Sequence, residues 1–161
     1  MGKTDDSPYE GWPSSVISNT QRGVRPDGRL AFPYTPGVIG PECPCGSGRT
    51  LAECCGPVLE QSCPAATAEA LMRSRFTAFA VGDLDHLERS WAPETRPGRI
   101  RLDPTRRWTR LEILSLVDGR ELAATGVVEF RAYYDVGGIA GEIHERSNFR
   151  RDHGRWVYVG G

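Results

Sequence analysis

Four of the five cysteines stand close together in the sequence, as Cys43, Cys45, Cys54 and Cys55. Their spacing, C-x-C-x8-C-C, gives two tight pairs joined by a loop that can double back. Zn²⁺ prefers four soft ligands in a tetrahedron, with sulfur about 2.3 Å from the metal. Four thiolates fill that coordination and leave no position for a substrate, so the predicted zinc is structural rather than catalytic. No ferredoxin-type spacing is present that would favour an iron–sulfur cluster.

Glycines flank these cysteines at positions 46, 48 and 56, where the backbone must turn sharply or direct amides toward thiolates. The alternative interpretation is a set of buried or reactive thiols with a labile disulfide. The N-terminal sequence lacks the apolar segment of a secretory signal, and thiols of the cytosol are normally kept reduced. We therefore expect a cytoplasmic protein whose clustered cysteines bind metal. Cys63 lies beyond the motif and is interpreted as a spare thiol.

The composition excludes several classes of function. The chain has 161 residues, of which 39% are hydrophobic and 25% charged, and its net charge is -1 with a pI of about 6.3. Such a chain lacks the basic field that drives nonspecific nucleic-acid binding, and it has no apolar stretch long enough to span a bilayer. We expect neither a nucleic acid nor a membrane as a partner.

Three regions follow along the chain. Residues 1–40 are rich in Pro, Gly and Ser without a sustained period, which predicts an irregular N-terminal arm. Residues 41–63 form the zinc-binding module. In the third region, residues 64–161, the pattern predicts a helix that begins at an N-cap, Thr67, and ends at Gly82, and a second short helix from Asp83.

Alternating apolar residues then predict four strands, near residues 111–117, 128–134, 139–150 and 155–160. In the first of them the alternation places Leu111, Ile113, Ser115 and Val117 on one face. Gly137-Gly138 is typical of a hairpin turn. Two helices followed by an antiparallel sheet predict an α+β domain, with the helices packed on one face of a curved sheet.

Polar residues on the inward face of that sheet suggest a pocket. Glu145 and Ser147 are in phase with apolar neighbours on the third strand, and a buried carboxylate needs a partner. Arg75 on the first helix is the expected partner, with Arg73 second. Trp91 and Tyr133 are further candidates for the lining. One interpretation is an ion pair that ties helix to sheet, and the other is a ligand-binding or acid/base site.

The cysteine string CPCGSGRTLAECCG resembles the SEC-C motif, a zinc-binding signature also found in the SecA translocation ATPase. The segments TAEALMRSRFTAFAVGD, GVVEFRAYY and HERSNF resemble the YchJ-like family of uncharacterised bacterial proteins. That resemblance implies an N-terminal SEC-C motif joined to a domain similar to nuclear transport factor 2, with a cone-like α+β fold. The loop Arg49–Glu53 departs from the usual lysine-rich form of the motif.

The resemblance and the closed metal site together favour a non-enzymatic interaction or adaptor module, with a structural zinc and a protein partner. The alternative is an enzyme or small-molecule binder that uses a pocket in the cone, with Glu145 and Arg75 as its polar groups. Cone folds of this kind often pair through the open face of the sheet, so a homodimer is also expected from the resemblance. No catalytic residue is predicted.

Overall fold

The computed structural model describes the backbone of residues 23–24 and 30–31 and the full chain from residue 42 to 161. Most of the predicted N-terminal arm lies outside these residues. Within it, β1 (Gly23–Val24) and β2 (Leu30–Ala31) form a short antiparallel pair. Among the described residues, no helix is long and apolar enough to cross a membrane.

The helices follow the cysteine segment. α1 (Gly56–Leu59) is a single turn that directly follows Cys55. α2 (Ala68–Val81) and α3 (Leu84–Arg89) form a helical hairpin. The Thr67 hydroxyl accepts a hydrogen bond from the amide of Ala70, as expected of an N-cap, and Gly82 ends α2 with a φ of 78°. Asp83 caps α3 in the same way through the amide of His86. The predicted helix boundaries are confirmed.

Four long strands form an antiparallel meander in the order β3-β4-β5-β6. They are β3 (Arg106–Asp118), β4 (Thr125–Val136), β5 (Ile139–Asp152) and β6 (Arg155–Gly160). Gly137 and Gly138 join β4 to β5 with positive φ angles of 59° and 88°, as the two-residue hairpin predicts. The α+β class and the helices-on-sheet arrangement predicted from the sequence are confirmed.

The predicted alternation of β3 is wrong in its second half. Two register shifts interrupt its pairing with β4, one between Trp108 and Arg110 and one between Ile113 and Ser115. A β-bulge adds a residue and changes which face the following side chains occupy. Leu111 is therefore buried, whereas Ser115 and Val117, predicted on the same face, are exposed. Leu114 and Leu116 are exposed as well.

One apolar core joins the cysteine segment to the domain. It contains Cys45 and Leu59 from the cysteine segment, Leu71 and Phe76 from α2, and Phe149 from β5. Cys45 and Phe149 are 0% and 2% exposed, so both ends of this core exclude water. The cysteine segment therefore packs on α2 and shares a core with the domain.

Candidate metal centre and cavity

The four predicted ligands converge on one point. The sulfur atoms of Cys43, Cys45, Cys54 and Cys55 all lie within 4.8 Å of one another. The Sγ atoms of Cys45 and Cys54 are 3.5 Å apart, and those of Cys54 and Cys55 are 3.9 Å apart. A tetrahedron with metal–sulfur bonds of about 2.3 Å has edges of about 3.8 Å. The four side chains therefore fit a single ion with four sulfur ligands, and none of them is in a disulfide.

The backbone brings the two cysteine pairs together. The amide of Cys43 donates to the carbonyl of Arg49, and the amide of Gly46 donates to the carbonyl of Cys43, which closes a tight turn around the first pair. Gly46 has a φ of 73°, a conformation that favours glycine. At Gly56, a Cβ atom would lie 2.8 Å from the carbonyl oxygen of Leu51, so only glycine fits beside the second pair.

Thiols this close cannot all ionise without a cation. Hydrogen bonds from Cys45 and Cys55 lower the pKa of the Cys43 thiol to about 3. The same contacts, first of all the one with Cys43, raise the pKa of Cys55. The Cys43 thiolate is thus stabilised by its neighbours, whereas ionisation of Cys55 is disfavoured. A bound divalent metal removes this conflict, because it favours the deprotonated form of every ligand.

Neighbouring donors complete the site. The Ser47 hydroxyl lies 3.1 Å from the Cys54 sulfur, and Nη2 of Arg49 lies 3.5 Å from the same atom. The Cys43 sulfur lies 3.7 Å from the Thr77 hydroxyl on α2. Donors of this kind orient sulfur ligands and reduce their negative charge. The sequence motif identified the four cysteines that come together here, but it did not identify Thr77, which lies on α2.

Arg73 contacts the cysteine cluster. Its Nη1 donates to the carbonyl of Cys45 at 3.0 Å, and its Nε donates to Glu69 at 2.8 Å. The guanidinium therefore ties α2 to the first cysteine pair. The suggestion that Arg73 lines the pocket and pairs with Glu145 is wrong, because Glu69 one turn away is its carboxylate partner.

A cavity of about 50 Å³ lies between α2 and the sheet. Arg75, Arg106 and Glu145 are its charged lining residues, and the rest of the lining is largely aromatic and aliphatic. The inward position of Glu145 predicted from strand phase is thus observed. Tyr158 on β6 also lines the cavity, where the sequence analysis did not predict it.

Two hydroxyls, rather than an arginine, hold the Glu145 carboxylate. Its Oε1 accepts hydrogen bonds from the hydroxyl of Tyr158, at 2.9 Å, and from that of Ser147. Nη1 of Arg75 instead donates to the carbonyl of Leu87, at 3.1 Å, and to the hydroxyl of Ser90, at 2.7 Å. The predicted ion pair between Glu145 and Arg75 is therefore wrong, because the carboxylate accepts from two hydroxyls and the guanidinium donates to a carbonyl oxygen and a hydroxyl of other residues.

Two aromatic rings also contact the guanidinium of Arg75. Its guanidinium carbon lies 4.4 Å from the ring centre of Tyr158 and 4.9 Å from that of Trp91, within the range of cation–π interactions. Trp91 packs edge-to-face on Tyr158 behind the cavity wall. Ser147 is fully buried and contacts the cavity only through Glu145.

Tyr133 lies on the other face of the sheet, so its proposed place in the pocket is wrong. Its hydroxyl donates to Glu112 at 2.9 Å, and the guanidinium of Arg110 lies over its ring. On β4 the buried positions are the even-numbered ones from Gly126 to Ala132. The two-residue period of a strand therefore directs Tyr133 outward.

Comparison with known proteins agrees with both parts of this architecture. The SEC-C motif matches residues 42–57, and the family described as YchJ, middle NTF2-like domain, matches residues 67–161. A UPF0225 protein of Streptomyces coelicolor is 50% identical over 121 residues, which cover 75% of this chain and 94% of that protein. A UPF0225 protein of Chromobacterium violaceum is 49% identical over 123 residues, covering 74% and 90%.

Two solved structures are similar as well. The solution structure of a SEC-C motif containing protein from Rhodopseudomonas palustris has 37% identity and a TM-score of 0.65, and the match covers 74% of this chain and 95% of that one. The crystal structure of a SEC-C motif containing protein from Psychrobacter arcticus, at 22% identity and a TM-score of 0.58, shares the fold and covers 73% and 79%. The chain therefore belongs to the UPF0225 family of YchJ-like proteins, in which a SEC-C motif precedes an NTF2-like domain.

Proposed function

We propose that this protein is a zinc-stabilised interaction module, in which a structural Zn²⁺ held by four cysteines supports an exposed loop that binds a protein partner. The observation that carries the proposal is the sulfur cluster, in which four Sγ atoms lie within 4.8 Å of one another. An all-sulfur tetrahedral site is typical of structural zinc, and its closed coordination leaves no position for a substrate.

The loop between the cysteine pairs has the properties of a docking surface. Cys43, Cys45 and Cys55 are buried, whereas Gly48, Arg49 and Glu53 between them are exposed. A bound ion would hold both ends of this loop and so fix its shape before binding. Fixing a loop beforehand reduces the entropy that association would otherwise cost. The SEC-C proteins that this chain resembles share the motif, which supports a common role for the loop.

The docking role can be tested without losing the metal. An Arg49→Ala/Glu53→Ala variant should retain zinc, because neither residue is a ligand, and should lose the partners that the wild-type protein retains from its own cell extract. An Arg146→Ala/Glu142→Ala variant on the outer face of the sheet is the matched control. Identical sets of captured proteins for the loop variant and the wild type would refute a docking role for the loop.

A second candidate function is small-molecule binding in the cone cavity. It is favoured by the placement of Arg75, Arg106 and Glu145 in one largely aromatic lining. However, about 50 Å³ holds only one or two water molecules, and pockets for metabolites are several times larger. A thermal-shift screen of small organic acids against the wild type and Glu145→Gln tests this function. A ligand whose stabilising effect requires Glu145 would favour the cavity over the loop.

A further inference from the structure

A second, larger cavity lies where the segment after the cysteines meets α3 and the start of β6. It has a volume of about 210 Å³ and is lined by four parts of the chain. The segment after the metal site contributes Val58 and Cys63, α2 contributes Leu71, α3 contributes His86 and Arg89, and the start of β6 contributes Arg155. Neither the motif nor the proposed docking loop involves this cavity.

The charged groups of the lining are all basic. Arg89 and Arg155 line the cavity together with His153, and no carboxylate of the described residues lies in the lining. Arg155 is exposed and makes no ion pair within the described part of the chain. For Arg89, the nearest carboxylate is that of Asp83, 4.0 Å from Nη2, at the limit of an ion pair. The protein itself therefore supplies little negative charge to this cavity.

Hydrogen bonds to the protein fix one end of the Arg89 guanidinium. Its Nη2 donates to the carbonyl of Leu59 and to Nδ1 of His86, the latter at 3.1 Å. His86 is 2% exposed, and its Nε2 lies 2.9 Å from the Ser74 hydroxyl. Since Nδ1 accepts from Arg89, Nε2 carries the proton and donates to Ser74. Among the described residues, no hydrogen bond engages Nε or Nη1 of Arg89, which leaves these donors for a ligand.

The electrostatics of this network favour an added anion. Burial, followed by the positive charges of Arg89 and Arg75, lowers the pKa of His86 to about 3, so this residue stays neutral and cannot compete with Arg89 for the ligand. Burial also lowers the pKa of Arg89, because its charge is incompletely solvated. An anion in the cavity would stabilise the charged guanidinium of Arg89 in place of the lost water.

The lining also has an apolar part, next to the polar side chains of Gln61 and Ser90. Val58, Leu71 and Trp156 line the cavity beside the basic groups, and Leu71 and Trp156 are 3% exposed. We propose that this cavity is a binding site for a small organic anion, with its phosphate or carboxylate group between Arg89 and Arg155 and its apolar part against Trp156. The site does not depend on the docking role of the loop.

Cys63 provides a direct reporter of occupancy. It lies in the lining, and it is the one exposed cysteine of the five, so a small alkylating reagent such as iodoacetamide should modify it first in the zinc-loaded protein. The probe is phenyl phosphate, which combines an aromatic ring with a dianionic group. Phenyl phosphate should slow alkylation at Cys63 several-fold in the full-length protein, as followed by mass spectrometry. Inorganic phosphate at equal concentration should protect less.

Substitutions in the lining test whether phenyl phosphate protects Cys63 by binding in this cavity. Arg155→Gln should raise the phenyl phosphate concentration needed for half-protection about tenfold, the usual effect of losing a charge-assisted hydrogen bond. Arg146→Gln, which removes an equal charge from the exposed outer face, should leave it unchanged. Arg89→Gln serves as a second variant once circular dichroism shows it folded. The proposal would be overturned if about 10 mM phenyl phosphate gave no protection of Cys63. It would also be overturned if inorganic phosphate protected Cys63 equally well, or if phenyl phosphate protected Arg155→Gln and wild type equally.

Discussion

The cysteine cluster and the Glu145 cavity are both built from polar groups, but the two regions satisfy those groups in different ways. In the cluster, four groups of the same chemistry face each other, and a cation would allow all four to be ionised together. In the cavity, hydroxyls donate to the Glu145 carboxylate, while a carbonyl oxygen, a hydroxyl and two rings contact the Arg75 guanidinium. The first region is suited to bind a cation, whereas the polar groups of the second find their partners within the protein.

The largest effect should come from removing one cysteine of the cluster. Cys54→Ser should reduce the zinc content well below one equivalent and unfold the cysteine segment, because structural zinc contributes on the order of 10 kcal/mol to small modules of this kind. Elemental analysis of protein purified without added metal measures the content. Cys63→Ser is the matched control and should retain one zinc per chain. Full zinc content in Cys54→Ser would remove Cys54 from the ligand set.

Removing the buried guanidinium of the cavity should have the next largest effect. Arg75 is 3% exposed, donates to Leu87 and Ser90, and lies over two rings. Arg75→Met should lower the free energy of unfolding by about 2–4 kcal/mol, through lost charge-assisted hydrogen bonds and cation–π contacts. Denaturant melts of this variant and of Arg146→Met, an exposed control that should change by less than about 0.5 kcal/mol, measure the difference. Equal stability of the two variants would show that Arg75 is not held as described.

A smaller effect is expected at Glu145. Its carboxylate is half-buried and accepts from Tyr158, so Glu145→Gln should cost about 1–2 kcal/mol of unfolding free energy. Glu142→Gln on the exposed face of the same strand is the control. A loss above about 3 kcal/mol at Glu145 would instead indicate the broken buried ion pair that the sequence suggested.

The smallest effect concerns pH. His86 has a folded pKa of about 3, below its ordinary value near 6.5, so between these values the unfolded chain binds a proton that the folded protein does not. The stabilisation from this group is therefore complete above about pH 6.5 and declines as the pH falls toward 3. Between pH 6 and 5, wild type should lose up to about 1 kcal/mol more than His86→Gln in parallel urea melts. Identical pH profiles would show that His86 titrates normally.

These regions also differ in how well the sequence predicted them. The four cysteines lie within 13 residues, so spacing and ligand chemistry were enough to identify the cluster. The inward phase of Glu145 followed from the two-residue period of its strand. Its partner, Tyr158, comes from a neighbouring strand, and the choice between a hydroxyl and an arginine depends on side-chain packing across elements. Strand phase cannot predict that packing.

The errors in β3 and at Arg73 have related causes. The β-bulge between Ile113 and Ser115 has no marker in the sequence such as a glycine, and it changed the face of every residue after it. Arg73 is a candidate partner of Glu145 because it lies on the helix expected to cover the inward face of the sheet. Positions two apart on a helix face different directions, and Arg73 contacts the cysteine segment instead.

The coordination of the metal tests the central claim most directly. X-ray absorption at the zinc edge, recorded on full-length protein purified without added metal, reports the type, number and distance of the ligands. The cysteine cluster predicts one zinc per chain with four sulfur neighbours at about 2.3 Å and no nitrogen or oxygen ligand. A spectrum with three or fewer sulfur neighbours, or with a nitrogen or oxygen ligand, would contradict the closed structural site, as would protein that folds fully with no metal bound.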